Sequence, residues 1–263
     1  NSYDVGISLV YTSSQKEAGI RGLAHIEGVY QPNTKADAVA VLTKEVIAHE
    51  IGHLFGGRHT FGSHKGSAAY DSEKTELGSG TSVMSYGSPR DFFSLSSIER
   101  IRQRLTQVPA KAKDKTFATQ APRIDRSKLK NHYTIPKGTF FQFYIPATDP
   151  DSEQLLYAVN QHDVRNADET PITQYAIYKP TTVNPVTIKT EYYENSGNVL
   201  ANSGLAHQTT GTFTFWLGVS DAQPQQAADY IVQYDLAETK VTVKEGTPFK
   251  ITTTPKNKYK GGE

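Results

Sequence analysis

The residues best suited to chemistry lie in one run, His49-Glu50-Ile51-Gly52-His53-Leu54-Phe55-Gly56-Gly57-Arg58-His59, which reads H-E-x-x-H-x-x-G-x-x-H. On a helix His49 and His53 lie one turn apart on one face, so both imidazoles can reach a single metal ion. Glu50 sits about a hundred degrees further round. There it can hydrogen-bond a water activated by that metal without ligating it, the placement a general base needs. Gly56, lacking Cβ, can take the left-handed conformation that ends the helix, and the reversal brings His59 back as a third ligand. Three protein ligands leave one position open, which distinguishes a catalytic zinc from a closed structural one. By chance the five fixed residues would occur together in a chain of this length roughly once in 10^5 sequences.

Several elements must position these groups. Residues 3 to 11 alternate, with Tyr3, Val5, Ile7, Leu9 and Tyr11 on one face, and predict a strand with one side buried. Gly19 to Tyr30 reads as a second strand bounded by glycines, and Ala36 to Leu42 as a third short strand or the lead-in to the zinc helix. Thr43 is placed to cap that helix, Leu42 and Ile47 to staple it, and Ile47, Ile51, Leu54 and Phe55 to form its core face. Thr60 to Ser79 has no hydrophobic period and reads as loop, with His64 exposed within it. A further helix is expected over Leu95 to Leu105, with Ser96 and Glu99 at capping-box spacing.

Beyond Thr106 the pattern changes. A Pro-, Ala- and Lys-containing stretch to Asn131 reads as a linker, and from there the period is two: Phe141, Phe143 and Ile145; Phe213, Phe215, Leu217 and Val219; Val241 and Val243. Short strands separated by Asp-Pro-Asp, Asn-Ser-Gly and Glu-Gly turns predict a β-sandwich of immunoglobulin or cadherin type, with Trp216 in its core or on a sheet face. The turn Asp149-Pro150-Asp151 either serves as a turn alone or offers carboxylates to calcium.

Thr81-Ser82-Val83-Met84-Ser85-Tyr86-Gly87 contains the chain's one methionine. With the histidine motif it resembles the metzincin clan of zinc endopeptidases, whose methionine turn passes beneath the metal. The whole chain resembles a secreted reprolysin-like (adamalysin-like) metallopeptidase of the Bacteroidetes type, on Gly78 to Thr81 before the methionine turn, Ala147 to Asp151, Asp221 and Val241-Thr242-Val243. The resemblance implies that Leu23 and Ala24, before His25, lie on an edge strand that pairs with extended substrate. It further implies that Gly87 to Phe93 line a substrate pocket, and that Tyr86, as in astacins and serralysins, reaches the zinc or the developing oxyanion. That family has further strands before the one at residue 3, so a preceding segment or another chain is expected to complete the sheet.

The resulting expectation is an α+β metzincin-like catalytic domain, incomplete at its N-terminus, over residues 1–106, then a linker (107–131), an all-β immunoglobulin/cadherin-like sandwich (132–245) and the start of a further domain or tail (246–263). The expected function is that of a secreted, extracellular or bacterial cell-surface zinc endopeptidase. The alternative is an adhesin or fibre component that retains the zinc-binding scaffold without activity. Composition excludes some classes. Among 263 residues with a net charge of +1 there is no electrostatic case for nucleic acid or anionic membrane. The absence of cysteine excludes a disulfide framework and thiol catalysis, and no apolar run is long enough for a membrane span.

Overall fold

The computed structural model describes residues 3–11, 21–61, 75–76, 80–87, 90–107, 120–151, 154–163, 172–175, 179–188, 190–193, 199–201, 210–221 and 233–247. It is a mixed α+β fold with few helices and many strands. Strands β1 (Ser8–Val10), β2 (Gly22–Ala24) and β3 (Ala38–Val41) form a sheet in the order β1-β3-β2, with β1 parallel and β2 antiparallel to β3. Helix α1 (Lys44–Leu54) follows β3 directly and packs on β3 and β2, and α2 (Leu95–Thr106) comes next.

Several local expectations change. The strand expected from residue 3 is confined to Ser8–Val10, and Leu9 and Tyr11, expected to be buried, are exposed, Tyr11 at 84%. Ile7 does pack inward as expected, joined by Val10 from the other face, against Ala40, Val41 and Val46. The strand expected over Gly19 to Tyr30 stops at Ala24, because the backbone beyond it bonds to the end of α1. Glu27 N–H donates to the His53 carbonyl and Val29 N–H to the Leu54 carbonyl, both at 2.9 Å. Helix-end carbonyls that would otherwise lack partners are satisfied by this loop. Thr43 occupies the cap position of α1, yet its hydroxyl makes no capping bond, and Leu42 is exposed rather than stapled. The buried side of α1 is Val46, His49, Glu50, Gly52, His53 and Leu54, so the polar motif itself faces inward. In α2 the cap is Ser94, whose Oγ accepts from Ser97 N–H, and not Ser96.

Among the described residues the second half is built of strands, with one 3-10 turn at Arg126–Lys128: β4 (Arg123–Ile124), β5 (His132–Pro136), β6 (Gln142–Phe143), β7 (Ala147–Thr148), β8 (Leu155–Gln161), β9 (Ile172–Tyr175), β10 (Val186–Thr187), β11 (Thr190–Tyr193), β12 (Val199–Ala201), β13 (Gly211–Asp221) and β14 (Tyr234–Lys244). A four-stranded sheet runs β5-β14-β13-β8, beside the pairs β4-β7 and β6-β10 and the three-stranded β9-β11-β12. Period-two alternation along β13 turns Phe213, Phe215, Leu217 and Val219 inward, where they meet Val241 and Val243 of β14 and Phe143, Ile145, Ile188 and Ile124. Ile124 lies in the stretch expected to be linker, and its strand already pairs with β7. Residues 108–119 of that stretch, His64, Gly78 and Ser79, and residues 248–263 lie outside the described residues. Among the described residues no helix is long and apolar enough to cross a membrane.

The outer face of β8 and β13 meets α2. Buried Asn160 accepts the Leu95 N–H at 2.7 Å through its side-chain oxygen, satisfying a donor at the helix start. Gly218 leaves room for Leu95, since a Cβ there would stand 2.5 Å from Leu95 Cδ2. The Tyr234 hydroxyl donates to Glu99 at 2.5 Å, with Arg102 over the Tyr234 ring, and Lys179 donates to Asp91 at 2.6 Å. Asn160→Ala removes an acceptor from a buried N–H, so it should lower the unfolding free energy by about 1–3 kcal/mol in urea titrations. A midpoint equal to the parent's would contradict this coupling.

Candidate metal centre

The helix carrying His49 and His53 ends in a Schellman turn. Gly56 takes φ +92°, its N–H donates to His53 O at 2.8 Å, and Gly57 N–H donates to Gly52 O at 2.8 Å. The reversal brings His59 back over the helix. Three Nε2 atoms then converge, His49 to His53 at 3.2 Å and His59 to each of the others at 3.1 Å. Four-coordinate zinc with bonds of ~2.0–2.1 Å sets its nitrogen ligands about 3.3 Å apart, close to this triangle. Among the described residues these three are the one group of three or more His, Cys, Asp or Glu able to hold a metal ion.

Backbone contacts define which nitrogen faces inward. His49 Nδ1 lies 2.7 Å from the Val83 carbonyl and His53 Nδ1 lies 2.7 Å from the Gly57 carbonyl. A carbonyl only accepts, so each Nδ1 carries the proton and each Nε2 presents a lone pair. No hydrogen bond can then join His49 Nε2 to His53 Nε2, and a single proton on His59 could serve only one of its two neighbours. The chemistry of this donor set fits a cation.

Burial works in the same direction. It lowers the His49 pKa to about 3, helped by the neighbouring His53, and lowers that of His53. Glu50, only 4% exposed, is pushed up to about 7 by burial. Its side chain lies against the backbone of β2 at Gly22, where a Cβ would collide with the carboxylate. The general-base candidate is thus seated against the edge strand named from sequence. Leu23 of that strand is 70% exposed, and β2 pairs with β3 on one side only among the described residues. His25 lies just past β2, 3.6 Å from Asp37.

Met84 is fully buried against α1, where a Cβ at Gly52 would collide with its sulfur, and its methyl lies by Gly57. A glycine inside a helix costs about 1 kcal/mol relative to alanine, and here it admits the methionine. The Tyr86 ring stands 4.8 Å from His59, 5.7 Å from His49 and 4.4 Å from Phe61 between centroids. Its phenol pKa is raised, by burial first and then by Glu50. Arg90, at φ +55°, is lowered by burial and by Arg21.

Residues 1–107 match the family model of the Reprolysin-like metallo-peptidases, family M12B. Every residue of the metal centre lies inside that span, so the similarity to reprolysin-like metallo-peptidases covers the candidate site. No curated protein matches the chain. Among solved structures, human mucin-like protocadherin EC1-2 is similar at 14% identity over 48% of this chain and 54% of that one, with a TM-score of 0.28. The chain spans about half the length of that protein, and a likeness so low carries no argument about the fold.

The Asp149–Asp151 turn finds no support as a calcium site. Asp149 Oδ1 accepts from Asp151 N–H at 2.7 Å, closing the turn, and Asp151 Oδ2 accepts from the Gln120 N–H at 2.5 Å, so one oxygen of each carboxylate is bound to backbone. Sequence reading missed Gly22, Gly52 and the buried acid Glu76. The first two are visible only once Glu50 and Met84 are seen against the backbone, and Glu76 sits in a stretch without periodicity.

Metal-free protein should be acid-labile through its histidines. Neutral in the fold, they would take protons near pH 6.5 when unfolded, so between 6.5 and about 3 the unfolded chain binds more protons and stability falls as pH falls. Glu50 acts in the opposite sense: its folded value of about 7 lies above its unfolded one, so its contribution is present at low pH and lost as pH rises through 7. In urea titrations without metal, the parent should lose more stability between pH 7 and pH 4 than a His49→Gln/His53→Gln variant does. Equal losses would contradict the assignment.

Proposed function

We propose that the chain is a secreted zinc endopeptidase, of the metzincin kind and the Bacteroidetes reprolysin-like type, that hydrolyses peptide bonds with Glu50 as general base. The observation that carries the reading is the triangle of inward-facing imidazole nitrogens with Glu50 seated between them and an open strand edge. His49, His53 and His59 would hold the metal; a zinc ion bound there supplies Lewis acidity toward a water and the scissile carbonyl. An extended substrate pairs with the outer edge of β2 at Leu23 and Ala24, main chain to main chain. Glu50, with a pKa near neutrality, takes a proton from the attacking water and passes it to the departing amine. Tyr86, packed on His59, donates its hydroxyl proton in a hydrogen bond to the oxyanion as it forms.

The β half, in this reading an immunoglobulin- or cadherin-like sandwich over about 132–245, contributes no catalytic group. It supports α2 through Asn160 and Tyr234. A further segment or second chain would complete the sheet along β1. Placement outside the cell rests on the family resemblance and a cysteine-free, tyrosine-rich composition.

Glu50→Gln should keep zinc, because Glu50 is not a ligand, while cleavage of a denatured protein falls about 10²–10⁴-fold. Tyr86→Phe should lower kcat with little change in KM, since the lost bond acts mainly in the transition state. Undiminished cleavage by Glu50→Gln would defeat the mechanism. Zinc binding by the parent without any cleavage would favour the inactive scaffold.

A further inference from the structure

Glu76 is 1% exposed, and no cation pairs with it among the described residues. Its carboxylate is enclosed by donors. Oε1 accepts the Thr60 hydroxyl at 2.5 Å and the Ser82 hydroxyl; Oε2 accepts the Thr81 N–H at 2.6 Å and the Ser82 N–H at 3.0 Å. An ionised carboxylate is an acceptor with about four lone-pair sites, and all four are used. A glutamine could keep its oxygen on the two backbone N–H donors and turn its amide nitrogen to the Thr60 and Ser82 hydroxyls, which would then accept; removal of the side chain beyond Cβ leaves all four donors unmet.

Each donor adjoins the metal centre. Thr60 follows His59 directly, and its N–H donates to the Met84 carbonyl at 3.2 Å. Ser82 precedes Val83, whose carbonyl accepts from His49 Nδ1. The backbone of Glu76 is fixed too, with its N–H on the Thr60 carbonyl at 2.8 Å. Gly80, at φ +68°, leaves room for the acid, because a Cβ there would lie 3.0 Å from Oε2. One buried carboxylate therefore ties the segment leaving His59 to the turn that orients His49.

We propose that Glu76 is a positioning residue of the metal centre, holding His59 and the Val83 carbonyl in the register that lets three imidazoles converge. The proposal rests on the metal-binding reading above, and not on catalysis. Partners that orient metal ligands change affinity about 10–100-fold when lost. Zinc affinity of the purified chain is measured by competition with a chromophoric chelator, and the geometry of the site by the visible spectrum of the cobalt(II)-substituted protein. Glu76→Ala should weaken zinc binding about 10–100-fold and alter the cobalt bands in protein whose far-ultraviolet circular dichroism remains folded. A merely structural acid would lower the thermal midpoint of metal-free protein and leave both metal readouts as in the parent, and that result would overturn the proposal.

Should Glu76→Ala fail to fold, Ser82→Ala decides the matter, since it removes one hydroxyl donor and retains the carboxylate. A several-fold loss of zinc affinity is expected, and an unchanged affinity and cobalt spectrum would overturn the proposal. A parent protein that bound no zinc would overturn this inference and the metal reading together. A parent that bound zinc without cleaving protein would defeat only the catalytic reading.

Discussion

Three imidazole nitrogens converge to 3.1 to 3.2 Å, those of His49 and His53 with lone pairs facing each other, an arrangement that a cation among them relieves and that the first half of the fold holds in place. Two are oriented by backbone carbonyls, Gly57 for His53 and Val83 for His49. Gly57 belongs to the reversal that ends α1, and Val83 to the methionine turn. A ligand set built this way is neutral and directed before metal arrives, so binding need not displace protons from His49 or His53 near neutral pH.

Close approach to bare backbone is the second constraint. Met84 packs against α1 because position 52 lacks a side chain, and Glu50 reaches β2 because position 22 lacks one. In both places a glycine within a regular element is unfavourable locally and makes room for a functional side chain. The helix α2 then closes the unit from the other side, with Arg104 donating to the Glu27 and Val29 carbonyls and Arg100 paired with Glu27 at 2.8 Å. The loop that caps α1 is thereby tied to α2, and α2 to the β half through Asn160.

Legibility in the sequence followed the range of the interactions. The spacing of His49, His53 and His59 and the reversal at Gly56 are local, and so could be read from the run itself. Alternation along β13 was equally clear, because one face of Phe213, Phe215, Leu217 and Val219 packs on a single core. The extent of the strand expected over Gly19 to Tyr30 was not, because hydrogen bonds from Glu27 and Val29 to the end of α1 overrode the local pattern. The cap of α2 was misread at Ser96 for a similar reason: Ser94 and the distant Asn160 share the donors at the helix start. Glu76 had no signature, since a buried acid is defined by the donors around it, and these come from segments 5 to 16 residues away in sequence.

The account stands on a metal-dependent peptidase centre at the three histidines. Its most direct test is the metal content of the purified chain, measured together with cleavage of a denatured protein before chelation, after it, and after zinc is restored. The account predicts one zinc per chain, cleavage lost with the metal and recovered with zinc, and neither property in a His49→Ala/His53→Ala variant. Cleavage that persists in the metal-free chain, or zinc retained by that variant, would contradict it.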